Sequence, residues 1–90
     1  MYNYFLLIGK KIKLEKVNDD CDDHILTLEV QRPFKENDGT LKTDELKIFC
    51  THWLTDYIDL SNSNVLSVKG RINIKNNSIT LIAEKILCIN

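Results

Sequence analysis

The stretch Gly70–Ile86, GRINIKNNSITLIAEKI, decides the fold. Two runs of alternating apolar residues flank Asn76-Asn77, and a polar pair between such runs reads as a β-hairpin with a two-residue loop. Counting outward from the loop sets Ile74 against Ile79, Ile72 against Leu81 and Gly70 against Ala83. These positions are all apolar or small, so they form the face turned to a core. The other face reads Lys75 with Ser78, Asn73 with Thr80, Arg71 with Ile82 and Lys69 with Glu84. A one-residue slip would mix the two faces, so the register is well specified.

Working outward, the segment Tyr4 to Glu15 alternates Tyr4, Leu6, Ile8, Ile12 and Leu14 on one face with Lys11, Lys13 and Glu15 on the other. Gly9 interrupts it, and an isolated Gly in a strand marks a bulge or bend. Phe5 and Leu7 then point outward, where a monomer would carry polar residues, which predicts a homodimer or homotetramer. The polar stretch VNDDCDD reads as a turn. A second strand follows, with Leu26, Leu28 and Val30 inward and Thr27, Glu29 and Gln31 outward. Pro33 ends it because proline donates no ladder hydrogen bond. Asp38-Gly39 marks the next turn. The third strand, DELKIFCT, sets Leu46, Ile48 and Cys50 inward and Glu45, Lys47, Phe49 and Thr51 outward. In HWLTDYIDL the period changes. Trp53, Tyr57 and Leu60 share a helical face, with Leu54 and Ile58 beside them, and Trp53 and Tyr57 are expected to pack on the sheet.

Strand, strand, strand, helix, strand, strand is the element order of the OB-fold. The predicted class is therefore all-β with one short helix: a five-stranded Greek-key barrel with the helix between strands three and four. An SH3-like barrel and an α+β roll are the alternatives, and a helix at that place disfavours the first. Residues 1–90 are expected to form one domain, since a chain of 90 residues must bury its surface in one small core.

Composition narrows the function. The apolar share of 43% and the charged share of 28% are those of an ordinary globular chain. The formal net charge of −1 means that any basic face is balanced by an acidic one, such as NDDCDDH at 18–24. The apolar run YFLLI is too short to cross a membrane. No signal-peptide pattern is present, and a cytoplasmic location is the expectation. Cys21, Cys50 and Cys88 are odd in number and form no CxxC, so reduced thiols are expected. Cys21 with His24 and Cys50 with His52 lack zinc-ribbon spacing, and the Asp19–Asp23 cluster lacks the alternation and turn Gly of a calcium loop. No metal, cofactor or small-molecule substrate is expected, and no motif recommends an enzyme.

Several segments carry a family resemblance. NYFLLIGK at 3–10 resembles the opening strand of bacterial single-stranded-DNA-binding proteins. LTLEVQRPFKENDG is similar to their second strand and following loop, TDELKIFC to their third strand, and VLSVKGRI with AEKI to their closing hairpin. The resemblance spans nearly the whole chain in the right order. It implies non-sequence-specific binding of single-stranded DNA in replication, repair or recombination. Such binding works through outward aromatics that stack on bases and cations that neutralise phosphates. Phe34 matches the family's aromatic after strand two, and Lys47 a basic position on strand three. Phe49 is the second stacking candidate. Arg32, Lys35, Lys69, Arg71 and Lys75 are the further candidate nucleic-acid contacts. Glu45, Thr51 and Asn77 stand where the family often has aromatics. The sequence ends at LCIN, where the family usually continues into a Gly-rich tail with an acidic tip. The resemblance is therefore to a short diverged member without that tail, like the small primosomal replication proteins. Two other readings stay open: RNA as the ligand, and a barrel acting as a protein-interaction or structural subunit with little nucleic-acid binding.

Overall fold

The computed structural model describes residues 3–55 and 64–89. Five strands, β1 (Phe5–Asn18), β2 (Cys21–Lys35), β3 (Leu41–Cys50), β4 (Val65–Lys75) and β5 (Ser78–Cys88), surround a core, with α1 (His52–Thr55) between β3 and β4. The sheet closes on itself in the order β1-β2-β3-β5-β4. All neighbours are antiparallel except β3 and β5. Order, closure and helix position are those of the OB-fold barrel.

Closure depends on β1. Its first half pairs with β4 from Phe5↔Gly70 to Lys10↔Val65, and its second half pairs with β2 from Lys10↔Glu29 to Asn18↔Cys21. The strand changes partner beside Gly9. A Cβ there would strike the Glu29 carbonyl oxygen and lie 3.1 Å from Leu28 Cγ. Gly9 therefore serves close backbone approach. The bulge expected near it lies instead at Ile12, between the pairs Lys11↔Leu28 and Lys13↔Thr27.

That extra residue reverses the expected faces at the start of β1. Phe5 is buried and Leu7 packs on the core, whereas Tyr4, Leu6 and Ile8 are exposed. Counting back from Leu14 without a break gives the wrong parity. Residues 4–8 are apolar throughout, so composition could not choose between the faces.

The core comprises Leu26, Leu28, Ile48, Leu66 and Val68, all fully buried, with Phe5, Cys50, Leu54 and Ala83. Each large aliphatic side chain contributes about 1.5–3 kcal/mol by leaving water. The inward positions of β2 and β3 follow the expected alternation. The expected end of β2 at Pro33 does not. The strand runs on to Lys35 through a register shift between Gln31 and Lys35, and inside that irregularity a missing N–H breaks no ladder. The loop expected over VNDDCDD shrinks to a turn at Asp19-Asp20. The Asp20 N–H donates to Asn18 Oδ1 at 2.9 Å, and β2 starts at Cys21.

The helix also differs. Leu54 is its buried residue, and Trp53, expected against the sheet, is 52% exposed. Tyr57, Ile58 and Leu60 lie outside the described residues. Asp23 Oδ1 accepts the His52 N–H at 2.9 Å and so ties the helix start to β2.

The β4–β5 hairpin has the register counted from its loop, from Lys75↔Ser78 to Gly70↔Ala83. Asn76 and Asn77 have φ of 54° and 64°, the left-handed pair that a type I′ turn requires. A bulge after Gly70 then sets Lys69 against Lys85, not Glu84. Ile72 and Leu81 pack on the core, but Ile74 and Ile79 are each 68% exposed. The hairpin outreaches the barrel wall. β5 pairs with β3 only at Ile48↔Leu81 and Phe49↔Ile82, so beyond Leu81 the hairpin is an overhanging arm.

Candidate nucleic-acid interface

The cross-strand register builds the site. On the outer face Glu15 pairs with Ile25, Ile25 with Phe49, Phe49 with Ile82, and Ile82 with Arg71. One row thus crosses all five strands, with an apolar centre, a carboxylate at one end and a guanidinium at the other. The neighbouring row runs Lys13, Thr27, Lys47. Thr27, outward in register, is nonetheless buried, flanked by the two lysines.

Two hairpin arms rise beside this floor. The β1–β2 arm contributes Glu15, Lys16 and Val17, and the β4–β5 arm contributes Ile79 and Thr80. Between them lies an open groove of about 370 Å³ with Ile25, Lys47 and Phe49 at its base. Each arm has its own physical cause. The first is a long hairpin closed by the Asp19-Asp20 turn, the second a hairpin closed by the Asn76-Asn77 turn.

The charges are unevenly committed. Lys13 Nζ lies 3.3 Å from Glu15 Oε1, and Lys16 Nζ lies 3.7 Å from Asp22 Oδ1. Both pairs are exposed and hold their partners weakly. Lys47 and Arg71 make no ion pair among the described residues. One row beyond Lys47, Glu29 and Glu45 stand directly opposite each other on adjacent strands. That like-charged pair makes the outer face acidic toward the β2–β3 hairpin.

The structure gathers some of the expected contact residues and scatters others. Lys47 and Phe49 lie in the groove, and Arg71 closes the row beside it. Lys75 stands at the end of the β4–β5 arm opposite Ser78. Lys69 lies on the far part of β4, its Nζ 5.7 Å from the Tyr4 ring centroid. Phe34 is 57% exposed, and with Lys35 it belongs to the β2–β3 hairpin, roughly 25–30 Å along β2 from Ile25 at strand spacing. It does not join Phe49 in one platform. Arg32 is occupied: it donates to both oxygens of Asp44 at 3.1 and 2.9 Å and to Glu36 Oε1 at 2.9 Å. The Asp44 hydrogen bonds raise the guanidinium's already high pKa, and the Arg32 hydrogen bond holds the Asp44 carboxyl below its ordinary range. Arg32 braces the hairpin base, with its guanidinium shared between two carboxylates.

Glu15, Lys16, Val17, Ile25, Ile79 and Thr80 line the groove and were missed by sequence reading, as was Ile82 in the row beside it. One signal was present: Ile82, paired with Arg71, is an apolar residue on a face otherwise polar. Among the described residues no three His, Cys, Asp or Glu side chains converge on a metal position. Burial pushes the Cys50 thiol up to about 11.

A small single-stranded DNA binding protein from Mycoplasma pneumoniae superposes with a TM-score of 0.71 at 19% identity, over 100% of this chain and 97% of that one. The dimeric N-terminal domain of PriB from Thermoanaerobacter tencongensis gives 0.66 at 19% identity, over 98% and 97%. The single-stranded DNA binding protein from Thermus aquaticus, as a deletion mutant, gives 0.54 at 17% identity, and this chain spans 51% of it. The chain shares the fold of small bacterial single-stranded-DNA-binding proteins. No family model matches the sequence, and no curated protein matches it. At such identities the likeness speaks for the barrel, and the contact residues must be argued from this chain's own groove. No described helix is long and apolar enough to cross a membrane.

Proposed function

We propose that this protein binds single-stranded DNA without sequence readout of a whole site, laying the strand in the groove between its two hairpin arms. The observation that carries the reading is the apolar strip Ile25–Phe49–Ile82, set between arms and bordered by the uncommitted cations Lys47 and Arg71. Any exposed base can stack on Phe49, which contributes about 1–3 kcal/mol. Lys47 and Arg71 neutralise phosphates, with Lys16 and Lys75 on the arms beside them. The fold is also used by proteins whose names state single-stranded DNA binding, which supports the same reading. One aromatic and a few cations make a modest binder whose affinity falls as salt rises. Roles in replication, repair or recombination follow from such binding as a proposal.

The exposed Tyr4, Leu6 and Ile8 face of β1 supports a homo-oligomer. The residues are the reverse of those expected from the sequence, but the outer face is still apolar, and a structural neighbour, the PriB domain, is described as dimeric. Light scattering at high micromolar concentration tests it. A mass of one chain would contradict it.

Titration of fluorescent oligo-dT at low and high salt tests the binding reading. Saturable binding that weakens with salt is the expected result. No binding at tens of micromolar protein in low salt would sink it.

A further inference from the structure

Glu15 is out of place in a groove meant only for phosphates. It lines the groove from the β1–β2 arm and shares a cross-sheet row with Phe49, two strands away. Its side chain is 53% exposed. Lys13 approaches Oε1 at 3.3 Å, and Oε2 has no partner among the described residues. A carboxylate repels the backbone of a nucleic acid, yet it is a strong acceptor for N–H groups on base edges.

The geometry points to Glu15 as a base-reading residue, which makes the groove a subsite for one base and gives it a preference for guanine. The inference rests on the nucleic-acid reading above and goes beyond it. Three observations converge. The groove, about 370 Å³, is at the small end of ligand sites and suits one base and its sugar rather than a run of bases. The cations without a carboxylate partner among the described residues, Lys47 in the groove and Arg71 at the end of the row, stand on β3 and β4, whereas Lys13 and Lys16 at the carboxylate's β1 end are paired with Glu15 and Asp22. A strand whose phosphates follow the cations therefore turns a base stacked on Phe49 with its edge toward Glu15.

The chemistry of the edges then sets the order. Guanine offers N1–H and N2–H side by side, two donors that match the two oxygens of a carboxylate. Cytosine and adenine each offer one amino group on that edge. Thymine offers N3–H between two carbonyl oxygens, which a carboxylate repels. Each good bidentate contact discriminates by a factor that water reduces at an open site, so the low end of the usual range applies.

The test uses the full chain and a set of dT pentamers whose central base is thymine, cytosine, adenine or guanine, compared by competition against labelled oligo-dT. The guanine pentamer is expected to bind about fivefold to tenfold more tightly than the thymine one. Glu15→Gln, folded by circular dichroism, should bind every pentamer at least as well, because a negative charge is gone. Its guanine-to-thymine ratio should fall below about twofold, since the amide offers one acceptor and one donor. Equal affinities across the wild-type set, with Glu15→Gln tightening all four alike, would make Glu15 a repulsive charge and overturn the inference while leaving the binding reading intact. A guanine preference that survives in Glu15→Gln would overturn it too. Failure of labelled oligo-dT itself to bind would instead remove both.

Discussion

Gly70→Ala probes the tightest place in the barrel. Gly70 faces Ala83 where β4 passes β5, and Phe5 pairs with it from β1. A Cβ at Gly70 would run into the Ile82 carbonyl oxygen, lie 2.8 Å from the Ile82 carbonyl carbon and 2.9 Å from Phe5 Cε2. The Phe5 ring can shift, but the Ile82 carbonyl is backbone, held in the sheet. Replacing Gly by Ala in a strand would otherwise gain about 0.4–1 kcal/mol from unfolded-chain entropy. Overpacking costs about 1–3 kcal/mol, and more where backbone must move. Here backbone must move, which puts the cost at about 3–4 kcal/mol, so the clash wins with a net loss of about 2–3 kcal/mol. For a domain of this size that lowers Tm by roughly 10–20 °C. Gly39→Ala is the control. Nothing lies within 4 Å of its added Cβ, and only the φ of 85° resists. Its loss is about 1 kcal/mol, or roughly 5 °C. Thermal unfolding followed by circular dichroism gives both numbers. A Gly70→Ala variant melting within a few degrees of the parent, or losing less than Gly39→Ala, would mean that the Ile82 backbone yields freely to the added methyl.

Other perturbations have clear directions. Phe49→Ala should weaken oligo-dT binding about tenfold with little change in its salt dependence, whereas Arg71→Ala should reduce the salt slope by about 0.7; equal slopes in fluorescence titrations would count against Arg71. Phe34→Ala, far from the groove, should leave affinity within twofold. The hydrogen bond from Arg32 holds Asp44 below its ordinary 3.8, so its contribution is full above that value and is lost as pH falls through it to the lower folded value. Asp44→Asn should therefore flatten the acid limb of stability below about pH 4, measured by urea unfolding; an unchanged limb would contradict the pairing. Folded protein at pH 8 should react rapidly with a thiol reagent at exposed Cys88 and slowly at buried Cys50, whose thiol is pushed up to about 11. Prompt labelling of Cys50 in a mass-mapped digest would oppose its burial.

How far the sequence reached can be seen residue by residue. The β4–β5 hairpin was legible because a short loop fixes register locally, and the pairing from Lys75↔Ser78 to Gly70↔Ala83 follows from it. Leu26, Leu28, Ile48 and Cys50 were legible because period two holds in an unbroken strand. The first strand was not, because a bulge at Ile12 leaves no mark in the lysine-rich run Lys10–Lys16. Trp53 misled because helical spacing says which residues share a face, not which face the barrel covers. The groove was half legible. Lys47, Phe49 and Arg71 each showed as outward. Their assembly depends on the parallel pairing of β3 with β5, a long-range contact that no local pattern announces. Arg32 looked available until its partners Asp44 and Glu36 were placed.

The proposed function places nucleic acid between the two arms. Adding oligo-dT to the ¹⁵N-labelled protein at low salt and following amide shifts tests it most directly. Changes concentrated at Lys16, Val17, Ile25, Lys47, Phe49 and Thr80, with Phe34, Gly39 and Leu41 unmoved, are the predicted result. Shifts confined to the β2–β3 hairpin, or to the Tyr4–Ile8 face, would contradict it.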